Sequence, residues 1–121
     1  MLRFNDPNAD KKIEENLSVI RKVMDRPTHS PLEQCQKLEE LTTLLGVAAE
    51  SRAVAFHICA HNERLAIAEK GLKGQSINKE VVRYTAYENM LYEYADTIHG
   101  DIIKSINALQ TLISFSKKEG Y

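Results

Sequence analysis

The chain has 121 residues, the length of one domain covering 1–121. Sixteen Lys and Arg stand against 17 Asp and Glu, a formal charge of −1. That balance removes the large basic excess of most nucleic-acid proteins and the acidic bias of a disordered tail. Hydrophobic residues make up 43% with no Trp, enough for order but lean for a thick core, so small residues are expected where helices touch.

Met1-Leu2-Arg3-Phe4-Asn5-Asp6 contains no apolar signal core. No run approaches the ~18 apolar residues of a membrane span. Asp6-Pro7 reads as a helix start, with Pro in the first turn and the Asp carboxylate free to accept backbone N–H groups. A first helix over about 8–25 follows, with Ile13, Leu17, Ile20 and Met24 on one narrow stripe. Pro27 ends it, because the residue before proline is pushed out of the helical region.

A second helix over 31–71 opens at Ser30-Pro31-Leu32-Glu33, a capping-box pattern with Pro at the favoured first position. Its apolar positions are Leu38, Leu41, Leu45, Ala48, Ala55, Cys59 and Leu65, interrupted by Arg52 and Asn62, and alanines make its middle thin. Gly71 to Gln75 forms a turn. A third helix over 78–118 carries Tyr84, Leu91, Ile98 and Leu112 on one seven-residue register and Ala95, Ile102 and Leu109 on the other. The two long helices contain almost no glycine and no interior proline, and each would reach ~60 Å at ~1.5 Å per residue.

The expected fold is therefore all-α: a short N-terminal helix, then a long antiparallel helical hairpin whose paired residue numbers sum to about 149. That register brings Gly46 near Gly100, as a close crossing, a shared bend or simply two tolerated glycines. The apolar face of the third helix is wider than one partner helix covers, so a homo-oligomer completing a bundle is expected. Leu91, Tyr94, Ile98, Ile102, Ile106 and Leu109 are the expected oligomer interface.

Four chemical readings compete with plain structural roles. His57 and His61 share a helix face, and Asp96 and His99 have carboxylate–histidine spacing, with Glu50 brought near His99 by the register. The two halves stand at different heights and each is short of ligands, so salt links and solvated histidines account for them more simply. Glu93 and Asp96 supply half of the magnesium site of a helical nucleotide pyrophosphatase, and the preceding Glu-x-x-Glu is missing. Lys70, Lys73, Lys79 and Arg83 surround the turn, with Tyr84 and Tyr87 close by, a pattern that can hold phosphates and stack bases. The acidic stretch Glu88, Glu93, Asp96 and Asp101 follows at once. Cys59 between His57 and His61 points to another face than either, which suits a small buried hydrophobe better than a nucleophile.

Cys35 and Cys59 lie 24 positions apart on one helix, about 36 Å, too far for an intrachain disulfide. Reduced thiols suit the cytoplasm. The outline of short helix and long hairpin resembles that of several small phage-encoded proteins, including recombination mediators and cyclic-nucleotide sponges, that oligomerise through such hairpins. The resemblance is one of shape and brings no site residue with it. The function expected is a non-enzymatic, oligomeric interaction or adaptor protein without cofactor, partnered by itself and by another protein. A nucleic-acid accessory protein using basic hairpin tips and a helical-bundle metal protein are the alternatives.

Overall fold

The computed structural model describes residue 2, residues 6–70 and residues 85–118, without the side chains of residues 69, 70 and 118. Among these residues the chain is all-α: α1 (Ala9–Asp25), α2 (Pro31–Lys70) and α3 (Ala86–Lys118), with no strand. The expected turn at Gly71–Gln75 and the expected helix over 78–84 lie outside the described residues.

Each helix end has an identifiable cause. Before α1, the Asp6 carboxylate accepts the Asn8 N–H at 2.9 Å, and the Asp6 carbonyl accepts the Ala9 N–H. At its far end Arg26 adopts φ −68° and ψ 123°, the extended form that Pro27 demands. The freed carbonyls of Met24 and Arg26 accept hydrogen bonds from Lys37 Nζ of α2 at 2.7 and 2.9 Å. A cation thus sits at the negative end of α1 and ties it to α2.

At the start of α2, Ser30 Oγ accepts the Glu33 N–H at 3.2 Å, and the Ser30 carbonyl accepts the Gln34 N–H at 3.0 Å. The returning Glu33 carboxylate takes the N–H of His29 rather than that of Ser30, one residue earlier than the capping box prescribes. For α3 the buried Thr85 does this work. Its carbonyl accepts the Asn89 N–H at 2.9 Å and its hydroxyl accepts Asn89 Nδ2 at 3.1 Å.

Contacts between α2 and α3 run in opposite chain order: Arg52 with Asp96, Phe56 with Tyr92, Cys59 with Asn89 and Asn62 with Glu88. The residue numbers of these pairs sum to between 148 and 150. The short helix lies across both long ones. Asn16 reaches Ser51 of α2, while Arg21 and Glu14 reach Asp101 and Tyr87 of α3.

The core forms where α1 closes this layer. Ile13, Leu17 and Ile20 meet a cluster that includes Leu41, Ala48, Ala55, Ile98 and Ile102. Leu41, Ile98, Ile102 and the three α1 residues are 0% exposed. Burying an aliphatic side chain of this size contributes roughly 1.5–3 kcal/mol, so this cluster dominates the stability of the fold.

Two expectations are corrected here. Leu91, Ile98, Ile102 and Leu109 are buried within the single chain, in one core cluster with residues of α1 and α2, on the face that had been assigned to a second copy. Of the six expected interface residues, Tyr94 is exposed and Ile106 partly buried. Leu112, placed on the buried seam from its register, is 49% exposed. The reason is length: α1 ends at Asp25, which neighbours Asp101, Lys104 and Ser105. Beyond that height α3 has lost the cover of α1, although Leu109 stays buried in the core cluster.

Candidate functional site

Two regions hold what chemistry the described residues offer. One is a polar layer between α2 and α3. The other is the outer face of the same two helices.

In the polar layer, Cys59 is buried, and its thiol lies 2.8 Å from Asn89 Oδ1 and 3.6 Å from Glu63 Oε1. One S–H thus has two acceptors. Asn62 Nδ2 donates to Glu88 Oε1 at 2.9 Å. Burial pushes the Cys59 thiol up to about 11, with the Glu63 charge adding to it. A thiol so raised is a poor nucleophile at neutral pH. The seam position expected for Cys59 is where the structure places it. The polar company was not read from the sequence, although Asn62 and Glu63 one turn on and Asn89 at the matching height are a legible signal.

Beside this layer, Asp6, Asp10, Asn62, Tyr87 and Glu88 line a shallow hollow of about 160 Å³ together with Pro7, Ala9 and Ile58. The Tyr87 hydroxyl donates to Glu14 of α1, and this bond raises its pKa to about 12. Lys12 pairs with Asp6 at 2.5 Å and holds that carboxyl below its ordinary value.

The metal reading meets a different geometry from the one expected. Asp96 Oδ1 accepts Arg52 Nε at 2.6 Å, and this bond raises the guanidinium pKa further. Glu50, expected beside His99, instead accepts the Leu2 N–H at 2.5 Å. His57 and His61 lie on the exposed side of α2, and His57 meets the edge of Phe56 at a centroid distance of 6.0 Å. Among the described residues, no three of His, Cys, Asp and Glu gather closely enough to hold a metal ion.

Of the residues proposed for nucleic acid, Lys73, Lys79, Arg83 and Tyr84 lie outside the described residues, and Lys70 is described only as the last residue of α2. Tyr87 is described, and Glu14 engages its hydroxyl.

The outer face is apolar and open. Phe56 is 53% exposed and packs against Tyr92 at 5.5 Å between ring centroids. Ile103 is also exposed. A methyl group built at Gly46 or at Gly100 would meet no atom within 4 Å. Neither glycine therefore serves a close crossing inside the chain.

One further property of α2 amends the expectation that no segment approaches a membrane span. Within Pro31–Ala68 an 18-residue stretch reaches a mean hydropathy of 1.2, long and apolar enough by length and composition to cross a membrane. The fold buries 28% of that stretch. No known protein family, curated protein or solved structure matches the chain.

Proposed function

We propose that the chain is a non-enzymatic interaction protein of the cytoplasm. In this reading α1 and a long antiparallel hairpin form the unit, a second copy completes the bundle, and the assembly acts as an adaptor for another protein.

The observation that supports it is the surface left over once α1 has packed. Phe56 and Ile103 remain open on one side of the molecule, and Met90 and Phe115 are each 61% exposed elsewhere on α3. Exposed aromatic and aliphatic side chains of this size are available for contact with another protein. Tyrosine, phenylalanine and methionine are also the side chains enriched in such contacts. The free thiols of Cys35 and Cys59 fit a reducing compartment.

Sedimentation equilibrium of the untagged chain over about 1–50 µM tests the reading, since association must follow mass action. A mass that climbs from one chain toward a multiple of it is the expected result. A single-chain mass throughout the range would remove the self-associating unit on which the reading stands.

A further inference from the structure

Helix-weakening residues gather at one level of the hairpin. In α2, Thr42 Oγ1 donates to the Leu38 carbonyl at 2.7 Å and Thr43 Oγ1 to the Glu39 carbonyl at 3.1 Å. Such bonds to the carbonyl four residues back loosen a helix and favour bending. Gly46 follows within a turn, and glycine is unfavourable in a helix relative to alanine because of the backbone freedom it gives up. On α3, Gly100 lies within one turn of the height of Gly46, given the pairing of Arg52 with Asp96 and of Phe56 with Tyr92.

Packing does not account for the two glycines, since a methyl group at either would meet no atom within 4 Å. What glycine retains is freedom of the backbone, and bends in long helices fall at such positions. Both helices nonetheless run unbroken through this level, as parts of Pro31–Lys70 and Ala86–Lys118.

The short helix crosses the same level and is fastened on either side of it. Toward one end, Asn16 Nδ2 donates to Ser51 Oγ at 3.4 Å, and the Tyr87 hydroxyl donates to Glu14. Toward the other, Lys37 Nζ donates to the Met24 and Arg26 carbonyls at 2.7 and 2.9 Å. There too Arg26 pairs with Glu40 at 3.1 Å, and Arg21 reaches Asp101 at 3.8 Å. The apolar contacts span the level in the same way. One cluster joins Leu17 and Ile20 to Ala48 and Ile98 before the glycines and to Leu41 and Ile102 beyond them. Lys37 serves two carbonyls at the negative end of α1, so one ammonium makes the two charge-assisted bonds on the far side.

We infer that Gly46 and Gly100 form a hinge in the hairpin and that α1 splints it straight, with Lys37 as the clasp. Release of the clasp lets the part of the hairpin beyond the glycines bend away from α1, which opens the core at Leu41 and Ile102. The hinge belongs to the single chain and does not depend on the self-association proposed above.

Hydrogen exchange of the full-length chain, read by mass spectrometry at about 1 µM to keep association low, tests the hinge. Lys37→Met keeps the apolar stem and removes the ammonium. It should speed exchange at least about tenfold over residues 41–47 and 99–104 and leave residues 54–60 unchanged. In the Lys37→Met chain, Gly46→Ala with Gly100→Ala should return those segments toward the wild-type rate, because alanine stiffens both helices. Asn107→Ala, which stiffens α3 at an exposed position away from the hinge, should not. Arg26→Gln removes the pair with Glu40 and should give a smaller rise in the same segments, which keeps the test decisive if Lys37→Met loses helicity by circular dichroism. Exchange that rises only in the last turn of α1, that rises evenly along all three helices, or that does not rise would overturn the hinge. A rescue by Asn107→Ala equal to that by the two alanines would overturn it as well.

Discussion

The two sides of the α2–α3 pair are built from opposite materials. On the side that α1 covers, large aliphatic residues meet: Ile13, Leu17 and Ile20 against Leu41, Ile98 and Ile102, all 0% exposed. On the outer side, Gly46, Ala49, Ala53 and Gly100 lie with Phe56 and Ile103 and one ion pair, and a methyl group at either glycine would meet nothing within 4 Å. The covered side explains itself, because every side chain there has found its neighbours within the chain. The outer side leaves its small residues, Phe56 and Ile103 open to solvent. Burial by a third helix of 17 residues thus divides two long helices into a finished face and an unfinished one.

The difference can be broken most forcefully from the finished side. Leu17→Ala or Ile98→Ala should each cost about 2–5 kcal/mol in urea unfolding, since both side chains are fully buried and the cavity cannot refill. Ile103→Ala, on the outer side, should change unfolding of the dilute monomer little. Equal losses on both sides would mean that the outer face is packed within the chain.

Cys59 marks the boundary between the two sides. Its thiol titrates at about 11 against an ordinary 9.0, so its thiolate fraction near pH 8 is reduced about a hundredfold. Alkylation should label the exposed Cys35 first and reach Cys59 only slowly, as mass spectrometry of timed samples would show. The stability that the protonated thiol contributes is complete below pH 9 and disappears as pH rises through about 11, because the folded state holds this proton more tightly than the unfolded one. Unfolding free energy should fall across that window, and less steeply in Cys59→Ala. Tyr87, also raised, loses its contribution from the bond to Glu14 over a range reaching about 12. A Cys59→Ala profile that falls as steeply as the wild type would remove the thiol from this account.

Smaller effects sharpen the contrast. Gly46→Ala should raise the unfolding free energy of the dilute monomer by up to about 1 kcal/mol, because the added methyl meets open space and alanine favours the helix. A loss instead would show that something in the chain already occupies that space. The Arg52–Asp96 pair has half-exposed side chains. A double-mutant cycle across it should give only about 0.2–1 kcal/mol in the monomer. A larger coupling at concentrations where copies associate would place the pair inside the contact.

The helices were legible wherever a local signal set them. The stripe Ile13, Leu17 and Ile20 pointed to one narrow buried face and lies in one. Ser30 with Glu33 and Pro27 after Arg26 located the ends, through capping and through the constraint proline places on its neighbour. What covers what was not legible. The apolar width of α3 is a property of that helix alone, and it cannot say whether α1 or another chain fills it. The span covered by α1 ends near Ser105, which is why Leu91, Ile98 and Ile102 are internal while Leu112 and Phe115 on the same helix stand exposed. The stripe Thr42, Gly46, Ala49, Ala53 and Phe56 on the outer side of α2 was overlooked for a related reason. Apart from Phe56, its members are glycine, alanine and threonine, which carry little weight in a hydrophobic pattern.

Covalent capture is the most direct test of a second copy on the outer side of α2 and α3. In a Cys35→Ser background, Ala53→Cys places one thiol on the outer face of each copy, with no second new thiol one turn away to close a bond inside the chain. Mild oxidation should give a disulfide-linked dimer that migrates at twice the chain mass and reverts with reductant, while Met90→Cys in the same background gives little. A chain that stays monomeric under oxidation, or that cross-links as readily through Met90→Cys as through Ala53→Cys, would contradict the account.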